Sequence, residues 1–167
     1  PRSTSSAASD VYKRQVTIIF LTFFLSSGFF YIGPPFKFSD SFEELSDDTE
    51  VVVGITHVLL GDDEEKNELF WEKADSVIAS LSNQQGYLGH RIRKKLFSNE
   101  AWTMTVWKNS SSLNEFVRGD IHSGAISDGL PAVKQARFVR FTARRFDIPL
   151  SWDIVEKQMV ENGRKLY

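Results

Sequence analysis

Residues 101–122 read AWTMTVWKNSSSLNEFVRGDIH, and the fold turns on how they are read. β-Branched and aromatic residues dominate Ala101–Trp107, which predicts a strand. Alternation puts Trp102, Met104 and Val106 on one face and Thr103, Thr105 and Trp107 on the other. Large side chains on both faces mean that both faces need cover. Ser110–Ser112 supply helix caps, and Leu113–Arg118 continue as a short helix. Gly119-Asp120 interrupts it, because one continuous helix would put Asp120 on the stripe of Leu113 and Val117. Asp120 then caps a second short segment that carries His122.

Upstream, Val51–Leu60 (VVVGITHVLL) reads as a strand that is apolar on both faces. Gly61-Asp62-Asp63 turns the chain and places acids at a helix start, where the dipole favours them. Glu64–Leu81 is an amphipathic helix with Leu69, Phe70, Ala74, Val77, Ile78 and Leu81 on one stripe. Tyr87–Leu96 alternates weakly and carries Arg91, Arg93, Lys94 and Lys95, which suits an edge strand. Downstream, Ala136–Phe146 is the last strand. Ser151 is placed to cap a C-terminal helix over Trp152–Glu161, and Gly163 stops it.

From Val51 the order is β-α-β-β-α-β, the split βαβ pattern of an α+β, ferredoxin-like fold with an antiparallel sheet and an extra C-terminal helix. Such a sheet carries its helices on one face. The second face is expected to be covered by the sheet of a partner chain, giving a homodimer through sheet faces. The alternative cover is the C-terminal helix or the N-terminal arm.

Three segments precede the domain at 51–167. Residues 1–15 begin without methionine, and SSAASDVYKRQ resembles translated sequencing-adapter read-through, so they are expected to be a non-native tail. Residues 16–33 hold the uncharged run VTIIFLTFFLSSGFFYI, read as an apolar helix acting as a signal anchor or signal peptide. The domain is then expected to be membrane-anchored or exported, on the far side of the anchor. Gly33-Pro34-Pro35 ends the run. Residues 34–50 carry six acids with serine between them and read as a solvated linker.

Net charge is −2 in 167 residues, which offers no electrostatic footprint for nucleic acid. The absence of cysteine excludes disulfides, thiolate nucleophiles and cysteine-ligated metals. No Ser-His-Asp signature, phosphate loop, dinucleotide fingerprint or zinc motif is present, and no metal site is expected.

The string W-x5-L-x2-F-V-R-x3-H (Trp107, Leu113, Phe116, Val117, Arg118, His122) resembles the antibiotic biosynthesis monooxygenase-like branch of the dimeric α+β barrel superfamily. IPLSWDIVEKQ, residues 148–158, resembles the start of the C-terminal helix in bacterial members. The likeness covers about Val51 to Gly163. It implies cofactor-independent oxygenation of polyketide-like aromatics, haem degradation, haem-dependent reactions or a member without assigned activity. The haem-degrading branch shares the strand end Thr105-Val106-Trp107. Its functional tryptophan falls at Phe116 here, and its haem-ligating histidine aligns near Ile126 rather than His122. Both departures count against haem degradation of that type.

Six residues stand out as site candidates. His122, after the helix break, and His57, in an apolar row of the first strand, are the candidate bases. Trp107 and Phe116 form a candidate aromatic wall, with Trp102 as the other wall if the strand faces the opposite way. Arg140 could hold an anionic oxygen, or pair with an acid across a dimer. His90, on the charged second strand, reads as a surface residue. Each aromatic also reads as a core anchor, and each histidine as a satisfied structural group. The expected function is a monooxygenase-like enzyme acting on an apolar aromatic or isoprenoid-like molecule, without a nucleotide cofactor. Trp107, Phe116, His57 and His122 would line its pocket. The alternatives are a haem-binding α+β barrel protein and a non-catalytic dimeric ligand-binding or stress-associated domain.

Overall fold

The computed structural model of the chain describes residues 31–166. In order they form β1 (Tyr31–Ile32), β2 (Lys37–Phe38), α1 (Asp40–Glu43), β3 (Glu50–Leu60), α2 (Glu64–Ser80), β4 (Tyr87–Lys95), β5 (Glu100–Trp107), α3 (Ser110–Arg118), α4 (Asp120–Gly129), β6 (Val133–Arg144), α5 (Trp152–Asn162) and β7 (Arg164–Lys165). The sheet runs β1-β4-β5-β3-β6-β7, with β2 also on β4, and every pairing is antiparallel. Its four long strands, in the order β4-β5-β3-β6, carry the expected ferredoxin-like α+β pattern.

The two faces of β3 bury different cores. Val52 joins Leu81, Tyr87, Trp107, Leu113 and Phe116 on the side covered by α2 and α3. Val51, Val53 and Ile55 join Trp102, Met104, Val106 and Val139 on the other side. There the cover comes from the chain itself. Val155 and Met159 of α5 are fully buried against this face, with Ile148, Leu150 and Phe42. This is the alternative cover named above, and a partner's sheet is not needed to bury the face.

Residues 34–50 read as a linker because of their acids, and those acids are indeed exposed. The aromatics between them take the segment onto the sheet. Phe42 is 3% exposed. Phe36 sits so close to Gly89 that a Cβ there would collide with its ring. β2 pairs with β4 through Lys37 opposite His90 and Phe38 opposite Gly89. β4 is therefore no edge strand, since β2 pairs with it at Gly89 and His90 and β1 at Lys94 and Lys95.

The apolar helix expected over 16–33 lies outside the described residues as far as residue 30. Its last members, Tyr31 and Ile32, are strand, opposite Lys95 and Lys94. Among the described residues no helix is long and apolar enough to cross a membrane. The helix break falls where expected, but Gly119 rather than Asp120 is the N-cap of α4. Gly119 takes an extended backbone, and Asp120 is already in the first turn.

Candidate functional site

Two groups of chemically capable side chains lie on opposite faces of one sheet. On the helix-covered face, Trp107 ends β5 opposite Val52 of β3 and is 0% exposed. Phe116 of α3 packs on it, with ring centroids 4.8 Å apart. His122, in the first turn of α4, tilts against Phe116 at 4.6 Å. Tyr87 meets the other edge of Trp107 at 5.8 Å, and its hydroxyl lies 2.5 Å from Nδ1 of His90. A continuous row of five rings results: His90, Tyr87, Trp107, Phe116, His122.

Local sequence explains this placement. Asn109 caps α3 by accepting from the Ser112 amide, which starts the helix directly after the strand. Leu113 then packs over the bare backbone of Gly54 and draws α3 onto the sheet. The break at Gly119 redirects the chain so that the imidazole of His122 returns to Phe116.

His122 is held in one tautomer. Its Nδ1 lies 3.2 Å from the Val117 carbonyl oxygen, which can only accept, so Nδ1 carries the proton and Nε2 the lone pair. Burial pushes its pKa below the ordinary histidine value, although the Val117 bond opposes that shift. The ring is thus neutral near pH 7, with a basic nitrogen in a largely apolar setting. Ile126, one turn further along α4 and on the same face, is 43% exposed and extends an apolar ledge beside it.

Arg140 is on this face, opposite Gly54. Its Nη1 donates to Asn114 Oδ1 at 2.9 Å, so its partner is an amide of the same chain. Its Nε, like the indole Nε1 of Trp107, is buried and meets no acceptor among the described groups. His90, expected at the surface, is 8% exposed because β2 closes over its strand. Burial lowers its pKa, and Lys37 adds to that. Burial likewise pushes the Tyr87 hydroxyl up to about 12. The sequence reading missed His90 and Tyr87, whose contacts with each other and with Trp107 arise only from packing between strands.

On the opposite face, His57 and Trp102 are cross-strand partners and stack at 4.1 Å. Glu100 organises the surroundings. Its Oε1 accepts from Tyr31 Oη at 2.8 Å and Trp102 Nε1 at 3.0 Å, and lies 3.1 Å from His57 Nε2. Lys95 Nζ reaches Oε2 at 3.4 Å. Burial pushes the Glu100 carboxyl up, but the bonds from Trp102 and Tyr31, with His57 and Lys95 nearby, more than offset this and hold it below the usual range. Burial, with the adjacent Glu100, raises the Tyr31 hydroxyl to about 12. His57 is lowered by burial, against the pull of Glu100. Beside them the Arg93 guanidinium is sandwiched by Tyr31 and Trp152, at 3.9 and 4.1 Å, and pairs with Glu156.

The single pocket expected from Trp107, Phe116, His57 and His122 is therefore divided by the sheet. Trp107, Phe116, His122 and Arg140 fall on one side; His57 and Trp102 fall on the other. Strand alternation decides this: His57 shares its face with Ile55, Trp107 with Val52. Among the described residues no group of three His, Asp or Glu side chains is placed to hold a metal. Trp107, Leu113 and Phe116 pack together between sheet and helices, on the side of Phe116 away from solvent. A shallow, open depression lies elsewhere, between Leu59, Leu60, Asp62, Phe97, Ser98, Asn99 and Lys134.

No protein-family model and no curated protein sequence matches the chain. Solved structures do match. A candidate monooxygenase from Lactobacillus acidophilus superimposes with a TM-score of 0.50 at 16% identity, over 69% of this chain and 51% of that one. A candidate monooxygenase from Fusobacterium nucleatum gives 0.53 at 12% identity, over 68% and 48%. A Pseudomonas aeruginosa protein gives 0.50 at 8% identity, over 59% and 98%. The chain spans about half the length of the first two structures. At such identities the likeness concerns architecture alone, an α+β fold with an antiparallel sheet.

Proposed function

We propose that the protein is a monooxygenase-like enzyme that acts on an apolar aromatic or isoprenoid-like molecule without a nucleotide cofactor. His122 is its base. The observation that carries this reading is the fixed tautomer of His122, which presents Nε2 beside Phe116 and the exposed Ile126. A substrate lying on that ledge would give a proton to Nε2, and the resulting electron-rich anion would pass electrons to O2; its carbon would keep one oxygen atom as a new carbonyl, and the other would leave as water with the two hydrogens lost from that carbon. The buried N–H groups of Trp107 and Arg140 favour negative charge on this face. Oxygen consumption with a phenolic substrate should fall at least about tenfold in His122→Ala, because general-base catalysis contributes about 10²–10⁴. An unchanged rate would remove the assignment.

A second reading, a non-catalytic ligand-binding domain, draws on the packing of Trp107, Leu113 and Phe116, which closes the space where a large substrate would sit. Saturable binding of the same phenol without oxygen uptake would select it. Two further parts of the proposal concern assembly and location. A homodimer through sheet faces would require α5 to give up its seat on Val139 and Ile55, and a monomer mass in sedimentation equilibrium would overturn it. The part of the apolar run upstream of β1, residues 16–30, is proposed to tether the domain to a membrane.

A further inference from the structure

The row of rings on the helix-covered face ends in a pair that the oxygenase reading leaves unused. Tyr87 and His90 both stand on β4 and are buried. Among the described residues, the hydrogen-bond partner of the Tyr87 hydroxyl is Nδ1 of His90. Burial favours the protonated phenol and the neutral imidazole. A neutral imidazole has one lone pair, and with it on Nδ1 the phenol gains the acceptor that a buried hydroxyl requires.

Tyr87 also meets Trp107 edge-on, and Phe116 bridges Trp107 to His122, so the rings touch without a gap from the His122 ledge to the Tyr87–His90 pair. The members of this row respond differently to the loss of an electron. Phenylalanine is too hard to oxidise, so Phe116 serves as the medium between its neighbours. Trp107 is 0% exposed, and its indole N–H meets no acceptor among the described groups. Once oxidised it keeps that proton, remains a radical cation and stays a strong oxidant. An oxidised phenol is a far stronger acid than the parent, and Tyr87 has a base already on its hydroxyl. Without that base the oxidised ring would hold a full positive charge in a buried site.

We propose that Trp107, Tyr87 and His90 form a proton-coupled relay that carries an oxidising equivalent from the His122 ledge to Tyr87. The oxidant is a peroxyl radical, formed when a substrate radical on the ledge captures O2; for this source the proposal rests on the oxygenase reading. The peroxyl radical takes one electron from Trp107 across Phe116 and, with a proton from solvent, becomes a hydroperoxide. The Trp107 radical cation takes one electron from Tyr87 and is restored. The O–H bond of Tyr87 breaks, its proton passes to Nδ1 of His90, and a neutral tyrosyl radical and an imidazolium remain. The relay thus draws a damaging oxidant away from the ledge.

The chain has no cysteine, so a single introduced one can be labelled cleanly. Ser123→Cys, exposed next to His122, would carry a ruthenium polypyridyl photosensitiser in the full chain. A flash with a cobalt(III) ammine as electron acceptor then creates a one-electron oxidant at the ledge without any substrate. Transient absorption and electron paramagnetic resonance should show a neutral tyrosyl radical that rises severalfold more slowly in deuterium oxide. Tyr87→Phe should abolish it and leave a longer-lived tryptophan radical cation. Trp107→Phe and His90→Phe should each remove most of the tyrosyl yield. Tyr31→Phe, on the opposite face of the sheet, should leave the yield unchanged. A tyrosyl signal that persists in Tyr87→Phe would overturn the relay. So would a rise that is equally fast in both solvents, a measurement that needs no substitution in the core. The light-driven radical does not depend on oxygenase activity, so the two readings fail separately. Absence of phenol-dependent oxygen uptake removes the oxygenase, and absence of the Tyr87 radical removes the relay.

Discussion

Trp102 and Trp107 stand on the same strand and face opposite sides of the sheet: Trp102 stacks on His57, and Trp107 on Phe116. The odd spacing between them requires this, since side chains alternate along a strand. Each tryptophan therefore brings a different histidine into its neighbourhood, and the two histidines share no partner. His57→Ala should leave phenol-dependent oxygen uptake within about twofold of the parent while His122→Ala does not. Their stability effects should add to within about 0.5 kcal/mol, as for independent sites. A coupling above about 1 kcal/mol in a double-mutant cycle, measured by urea unfolding, would show that the sheet does not separate them.

Acid should weaken the fold in the histidine range. His57, His90 and His122 all have pKa values lowered by burial from 6.5. A lowered folded-state value means that the unfolded chain takes up protons first as pH falls. The stability linked to these neutral rings is complete above about pH 6.5 and drains away below it. Glu100, also lowered, adds a loss that starts nearer its ordinary 4.5. Thermal unfolding should show a falling Tm from about pH 7 to about pH 5, and His122→Gln should flatten part of that fall. A Tm independent of pH across this window would contradict the burial of all three rings.

Glu100 ties β1, β3 and β5 together through Tyr31, His57 and Trp102. Glu100→Ala strands the Tyr31 hydroxyl and the Trp102 indole, and a buried donor left unmet costs about 1–3 kcal/mol. A loss of about 2–4 kcal/mol in urea unfolding is expected. Glu100→Gln, which keeps an acceptor oxygen but loses the charge facing Lys95, should cost only about 1 kcal/mol. Equal losses for the two variants would mean that charge, not donor satisfaction, is what Glu100 supplies.

Phe42 decides whether residues 34–50 belong to the domain. It is 3% exposed in the core that α5 also covers. Phe42→Ala should cost about 3–5 kcal/mol, the range for emptying a buried aromatic site. A change within about 0.5 kcal/mol would be that of a surface residue and would return the segment to the solvent.

Periodicity alone marked the long elements. The alternation in AWTMTVW, the stripe from Leu69 to Leu81 and the stop at Gly163 depend on neighbours within a few residues, so they are legible in order along the chain. The break at Gly119 was legible for the same reason, as a conflict between Asp120 and an apolar stripe. The β-α-β-β-α-β order followed, and with it the fold.

What covers each surface was decided only in three dimensions. Val51–Leu60 announced that both of its faces are buried, but not by what. α5, about a hundred residues further along the chain, and the Phe36–Phe42 segment just before β3 supply the second cover. On the other face His90, which its own strand marked as exposed, is buried beside Tyr87. Strand parity already sent His57 and Trp107 to different sides, yet sharing a pocket depends on which helices lie over which face. Local sequence sets which way a side chain points; only packing between remote segments sets what it meets.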